Sequence, residues 1–571
     1  MPSVFSQLFC LPISSSRSNS SFRSSEKDGE AIKALAADKR CSVKGSSFIN
    51  NTSAKPPISF KQKSPSLKLY KNKDSPLTKL TYNDEKWLRP HEICQEYKKA
   101  RNISFKPALI VGGTSAMDIF QGNLGDCWFL CALQQVTSNK RAMKEILCQD
   151  FPSNSFEPNR YTGKFKFKFN RFGEWVEVII DDRIPCKLQE CEGMKIWLPK
   201  NAHLALQACN ENEDLECQFD YESRKIEFWP LLVEKAFAQF CGSYHRIDGG
   251  FVFEAFSYLC GSVGKRSNKE EFESFTPENA KEVISSGGFI HAHAYKKGLR
   301  SNFNGIFAQH AYSVMDIHFF DHDDDREHQQ EPIICLKNPW GQTECEGLKF
   351  NDDSSIWWKY PGLRERLHQE HLDDGKFWME FSKFKEIYDD ISISFLPKDM
   401  ISNKVKDQSH KLWDRKLTKI IESERQLSDE HKVDSYFTVD ITQTKDLLLS
   451  FQLVDPRKQG FLENKKHFYV KVHLDYAKME ESSSNQLPFL PSSYNFEKAP
   501  IKSVAYTYAK CKTDLADDSK SNGHYMHAII NETFSPGTYV FRAFTEESFD
   551  VSHEGCFQIW ENQKFLCFGR K

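Results

Sequence analysis

From Gln121 to Cys127 the chain reads Gln-Gly-Asn-Leu-Gly-Asp-Cys and then enters the apolar segment Trp128–Val136. A loop with two glycines directly before an apolar run of this length predicts a buried helix with Cys127 at its N-terminus. Unpaired backbone N–H groups and the positive end of the helix dipole favour thiolate over thiol there, so a lowered thiol pKa is expected. A histidine would complete the activation. A Gln121 side-chain N–H beside the backbone N–H of Cys127 would hold a developing oxyanion. Taken alone, a cysteine in a buried helix is more often inert, so its partners decide the reading.

The full sequence of 571 residues is too long for one core and implies three or four domains. With 39% hydrophobic and 13% aromatic residues and a net charge of -2, it is ordinary for a soluble globular protein and carries no overall nucleic-acid footprint. The charge is unevenly divided. Residues 1–80 hold 14 Lys/Arg against 5 Asp/Glu, so this tail is +9 and the remainder -11. Its 18 serines and the pair Pro56 and Pro57 predict disorder. The apolar Val4–Ile13 patch is broken by Ser6, Gln7 and Pro12 and has no cationic region before it, unlike a signal peptide. No stretch approaches the roughly 18 apolar residues of a membrane span. Seventeen cysteines, odd in number and scattered, read as reduced thiols and a cytoplasmic setting.

After the tail, Trp87-Leu88-Arg89-Pro90 opens a region rich in tryptophan and phenylalanine that continues to about residue 395. Arg171–Pro185 carries the β-branched run of a buried strand, and Phe228–Phe240 has helical spacing stopped by Gly242, Gly249 and Gly250. Two β-rich segments between His310 and Trp340 flank the polar run Asp321–Asp325, which predicts a hairpin with a solvated tip. That run lacks the glycine and terminal glutamate of an EF-hand loop. Residues 400–432 are charged and read as helical or linker. From Ser435 short alternating runs and recurrent turns predict a β-sandwich of roughly 130 residues.

The decapeptide Gln121–Leu130 closely resembles the active-site signature of the calpain family of cysteine proteases. Further strings follow in the family's order: Trp87–Pro90, Gly173–Val178, Asp181–Pro185, Glu227-Phe228-Trp229 and Gly242-Ser243-Tyr244. The resemblance covers about residues 83–395. His310 lies in Gln309-His310-Ala311-Tyr312-Ser313, similar to the family's Gly-His-Ala-Tyr-Ser, and Asn338 lies in Lys337-Asn338-Pro339-Trp340-Gly341. The resemblance implies a catalytic set of Cys127, His310 and Asn338, with Gln121 at the oxyanion and Trp340 shielding the His310–Asn338 pair. Physically, the Asn338 carbonyl can accept from one ring nitrogen of His310 and aim the other at Cys127. Cys127 and His310 lie further apart in sequence than the roughly 130–150 residues of papain-type enzymes, so insertions must fall between them.

Calpain cores bind Ca2+ in each lobe. By resemblance the first-lobe ligands are the carbonyls of Val111 and Gly113 and the carboxylates of Asp118 and Glu227, a mixed oxygen set suited to a hard cation. The second-lobe ligands would be Glu344, Asp374 and Asp352, but the family's next acid is Lys376 here, and the partner after Gly347 aligns with either Asn351 or Asp352. Cys186, Cys191, Cys209 and Cys217 with His203 lack Cys-x-x-Cys spacing and read as an insertion rather than a zinc site.

The expected fold class is therefore α+β: a two-lobed papain-like cysteine protease core followed by a C-terminal antiparallel β-sandwich. The divisions are a tail at 1–80, a helical Cys lobe at 81–260, a β-rich His/Asn lobe at 261–398, a linker at 399–432 and a calpain-type β-sandwich at 433–571. The expected activity is calcium-dependent limited cleavage of intracellular proteins. A non-proteolytic scaffold and a transglutaminase-like acyl transferase are the rivals, although the latter would ordinarily carry aspartate in place of Asn338. With no EF-hand loop, no small-subunit partner is expected. Nucleic acid and a transmembrane segment are not expected either, and the C-terminal domain is the place for a peripheral phospholipid contact.

Overall fold

The computed structural model describes residues 85–562, apart from 149, 152–153, 192, 201–218, 221–224, 295–304, 309, 322–329, 342, 346, 370–373, 398–399, 401–413, 423–433, 454–466, 479–501, 513–526 and 546–553. The tail at 1–80, the hairpin tip from His322, and Cys209, Cys217 and His203 lie outside the described residues.

The helix Cys127–Val136 is apolar except for Gln134 and Gln135, and all its residues after Cys127 are buried. It stops at Thr137, because Asn139 caps the next helix, Lys140–Leu147, accepting from the amides of Arg141 and Ala142. Around it pack the helices Trp229–Cys241 and Val252–Cys260 and the hairpin of strands Lys164–Arg171 and Glu174–Asp181. The expected strand over 171–185 thus divides into Glu174–Asp181 and Ile184–Cys191, with the turn at Asp182 and Arg183 between them. An aromatic stack forms the centre: Phe129 lies on Phe237 with centroids 4.0 Å apart, and Phe169 and Trp128 meet Phe237 edge-on. Each such buried ring contributes about 1.5–3 kcal/mol by leaving water.

One buried cation braces this core. Lys235, 3% exposed, donates to the Asp181 carboxylate at 2.6 Å and to the carbonyls of Asp181 and Arg183. Burial draws its ammonium down to about 8, with Asp181 pulling the other way.

A second core lies on a six-stranded antiparallel sheet ordered Lys376–Glu380, Gln330–Lys337, His310–Asp321, Phe289–Ala294, Asp390–Phe395 and Val263–Arg266. The hairpin expected around Asp321–Asp325 is the pair His310–Asp321 and Gln330–Lys337. Beyond it, residues 414–562 form two four-stranded antiparallel sheets. Tyr476 and Phe541 of one sheet pack against Phe534 of the other, with Tyr539 edge-on to Phe534. Asp414–Glu422, read from its charges as helix or linker, is a strand paired with Glu554–Asn562. It lies at the edge of its sheet, where charge is tolerated.

Candidate active site

Cys127 is the first residue of its helix, where the sequence puts it, and is only partly exposed. The helix is fixed to the sheet beneath by three bridges. Gln135 Nε2 donates to the carbonyls of Ile290 and Val314, Cys131 Sγ donates to the Ala311 carbonyl at 3.2 Å, and Ser313 Oγ donates to the Cys131 carbonyl. Ala311 follows His310, so these bridges bring the histidine strand under the cysteine helix.

The side chain of His310 is buried, and its Nε2 lies 2.9 Å from Asn338 Oδ1. The amide orientation is set independently: the Trp340 backbone N–H donates to the same Oδ1, and Asn338 Nδ2 donates to the Thr343 carbonyl. Since Oδ1 can only accept, Nε2 carries the hydrogen and Nδ1 is the basic nitrogen. Trp340 packs on the His310 ring with centroids 4.7 Å apart and against Phe307 at 4.3 Å.

The expected lowering of the Cys127 pKa is not what the environment gives. Burial pushes the thiol up to about 12. The backbone amides of Ala311 and Trp128 favour the thiolate, as a helix N-terminus should, but Asp126 and Asp248 oppose them and desolvation outweighs them. Burial likewise draws His310 down to about 4, although its bond to Asn338 favours the imidazolium. Among the described residues no hydrogen bond joins thiol and imidazole, so this state is a neutral pair. Below its pKa the thiolate fraction rises tenfold per pH unit. Iodoacetamide labelling of Cys127 in calcium-free protein should therefore accelerate about tenfold per unit from pH 7 to pH 10. Mass spectrometry would check this; fast, pH-independent labelling would show a preformed ion pair.

Gln121 is buried, with its backbone N–H on the Pro339 carbonyl and Nε2 donating to the Leu124 carbonyl at 2.7 Å. Two acids that sequence reasoning missed lie at the loop it opens. Asp248 Oδ1 accepts from the Gly125 amide, while Asp126 is fully buried and both its carboxylate oxygens lack hydrogen-bond partners. Burial raises the Asp126 carboxyl well above the usual carboxylate range. Its place next to Cys127 was the available signal.

Asp118 and Glu227 come together as expected. Asp118, in the short turn Ala116–Asp118, accepts from the Ser115 amide and from Trp229 Nε1, and Glu227 accepts from the Val111 amide at 2.6 Å. Both are buried; desolvation raises both carboxyls, and the charge of Asp118 raises Glu227 further. Among the described residues no group of three or more His, Cys, Asp or Glu is arranged to hold a metal. The first-lobe set needs only these two carboxylates plus main-chain oxygens from the Val111–Gly113 loop, and two mutually repelling buried acids fit a divalent cation.

The second-lobe acids are tied to neighbouring amides. Glu344 Oε1 accepts from the amides of Asp374 and Gly375, Asp374 Oδ1 accepts from the Lys376 amide, and Asp352 Oδ1 accepts from Gln369 Nε2.

Residues 58–395 match the model of the calpain family cysteine protease domain. The chain is 32% identical to human Calpain-9 over 57% of its length, 34% to rat Calpain-13 over 51%, and 31% to the human Calpain-2 catalytic subunit over 58%. It spans 41%, 39% and 41% of those relatives' own lengths. Likeness to solved structures is remote: a clostridial cysteine protease, Cwp84, aligns over 52% of this chain and 70% of that chain at TM-score 0.16 and 10% identity, too low to bear on the fold. The matched domain fills more than half of the sequence and contains the cysteine helix, the histidine strand and Asn338, and the chain belongs to the calpain family of cysteine proteases.

Proposed function

We propose that this protein is a calcium-dependent cysteine endopeptidase that makes limited cuts in cytosolic proteins, with Cys127, His310 and Asn338 as its catalytic set. The observation that carries the reading is the His310–Asn338 pair, oriented by Trp340 and tied through Ala311 to the helix of Cys127. Cys127 Sγ attacks the peptide carbonyl carbon while His310 Nδ1 takes the thiol proton. The oxyanion falls to the Cys127 amide and to Gln121 Nε2, which has a second N–H besides the one given to Leu124. His310 returns the proton to the leaving amine, leaving a thioester on Cys127. It then takes a proton from water, whose hydroxyl adds to the thioester carbonyl, and gives that proton back to the departing sulfur.

Asp118, Glu227 and the carbonyls of Val111 and Gly113 would hold a calcium ion. When bound, it supplies the positive charge that the two buried carboxylates lack. Without it those residues repel, and the loop leading to Gln121 has one tie fewer. We further propose that the lobes divide near residue 260 and that the two C-terminal sheets form a β-sandwich, whose inner face includes Phe534 and Tyr476. That module is our choice for a peripheral phospholipid contact. No helix among the described residues is long and apolar enough to cross a membrane.

Casein cleavage by the purified chain, with calcium and with a chelator, tests the reading beside a Cys127→Ser control. Cleavage that requires both calcium and Cys127 is expected. No cleavage at any calcium concentration would point instead to a non-proteolytic scaffold.

A further inference from the structure

The two carboxylate sites differ in how their charge is balanced. In the first lobe Asp118 and Glu227 are both buried, and the charge of Asp118 disfavours that of Glu227. In the second lobe Glu344 and Asp374 sit beside the buried Lys337. Lys337 and Lys376 are directly opposite in the antiparallel pair of strands Gln330–Lys337 and Lys376–Glu380, so their side chains leave the same face of the sheet. Lys337 is 2% exposed, donates from Nζ to the Asp374 carbonyl at 2.9 Å, and lies in the fields of both Asp374 and Glu344. The buried Lys337 thus offsets part of the charge of the two acids. A dication entering here would meet repulsion as well as attraction.

The acids are also occupied. Glu344 Oε1 takes two backbone amides, those of Asp374 and Gly375, and Asp374 Oδ1 takes the amide of Lys376. These bonds fold the Asp374–Lys376 turn onto itself. The Gly375 carbonyl accepts from the Asn338 amide at 2.8 Å, so the turn supports the residue that orients His310.

We propose that Lys337, with Lys376 beside it on the same sheet face, forms a permanent cationic clamp on Glu344 and Asp374, so that the second lobe takes no calcium and the protease core binds a single ion. This rests on the calcium reading of the first lobe given above. The Asn338 side of the site is then held at all calcium concentrations, and activation follows one binding event with a Hill coefficient of about 1.

Equilibrium dialysis of the full chain with radioactive calcium is the test, read beside calcium-free melting curves. One ion per wild-type chain, and none in Glu227→Gln, is the expected result. Two ions in the wild type, falling to one in Glu227→Gln and to none in Glu227→Gln/Glu344→Gln, would overturn the clamp. No ion in the wild type would sink the first-lobe calcium reading alone, and the melting curves then decide the clamp. Glu344→Gln should lower the calcium-free melting temperature by about 2–4 °C, since it removes a carboxylate that balances Lys337. A rise, as expected for relief of repulsion in an empty cation site, would overturn it.

Discussion

Replacing His310 with alanine should lower casein cleavage by about 10⁶-fold, close to the loss that follows removal of either essential member of a catalytic set. The size of the effect follows from the number of steps one ring serves. His310 accepts the thiol proton, delivers it to the leaving amine, and deprotonates the water that clears the thioester. In this chain the dependence should be severe, because burial holds the Cys127 thiol up to about 12 and the nucleophile cannot ionise alone near neutral pH. The ring is also the partner of Asn338 Oδ1, so a melting curve must accompany the assay. A folded variant that kept more than about 1% of wild-type cleavage would mean that another base serves Cys127.

Lys235→Met should destabilise the first core by about 3–5 kcal/mol. Lys235 is one of the most enclosed cations described, and it satisfies three acceptors at once: the Asp181 carboxylate and the carbonyls of Asp181 and Arg183. A methionine of similar length fills the space but leaves both carbonyls without that donor and Asp181 with its ion pair to Arg183. Urea unfolding at pH 7, followed by tryptophan fluorescence, would measure it. Adding Asp181→Asn to Lys235→Met should recover part of the loss, because the neutral amide no longer needs the cation. A single variant within about 0.5 kcal/mol of wild type would show that Lys235 is not a brace.

Much of the chemistry was legible one-dimensionally. Glycines before an apolar run located the helix of Cys127, and the strings around His310 and Asn338 located the hydrogen-bonded pair. The state of the thiol was not legible. It depends on burial and on Asp248, which comes from a loop more than a hundred residues away. The same limit applies to the second lobe. Lys376 stands out as a departure from the family's acid, but Lys337 joins it only through strand register. The strand Asp414–Glu422 was missed for a different reason, since its charges resemble a solvated linker until a neighbouring strand pairs with it.

The contact at Ala311 has an evolutionary corollary. Its carbonyl receives the Cys131 thiol and its amide faces the Cys127 sulfur, so the junction between nucleophile helix and histidine strand is written in main-chain atoms. No substitution but proline can erase these groups. Selection at residue 311 therefore acts against proline and on bulk, because the site is 4% exposed. The half of the junction that mutation can reach is the Cys131 thiol, one helical turn from the nucleophile, so a change there reaches the catalytic set through the Ala311 tie.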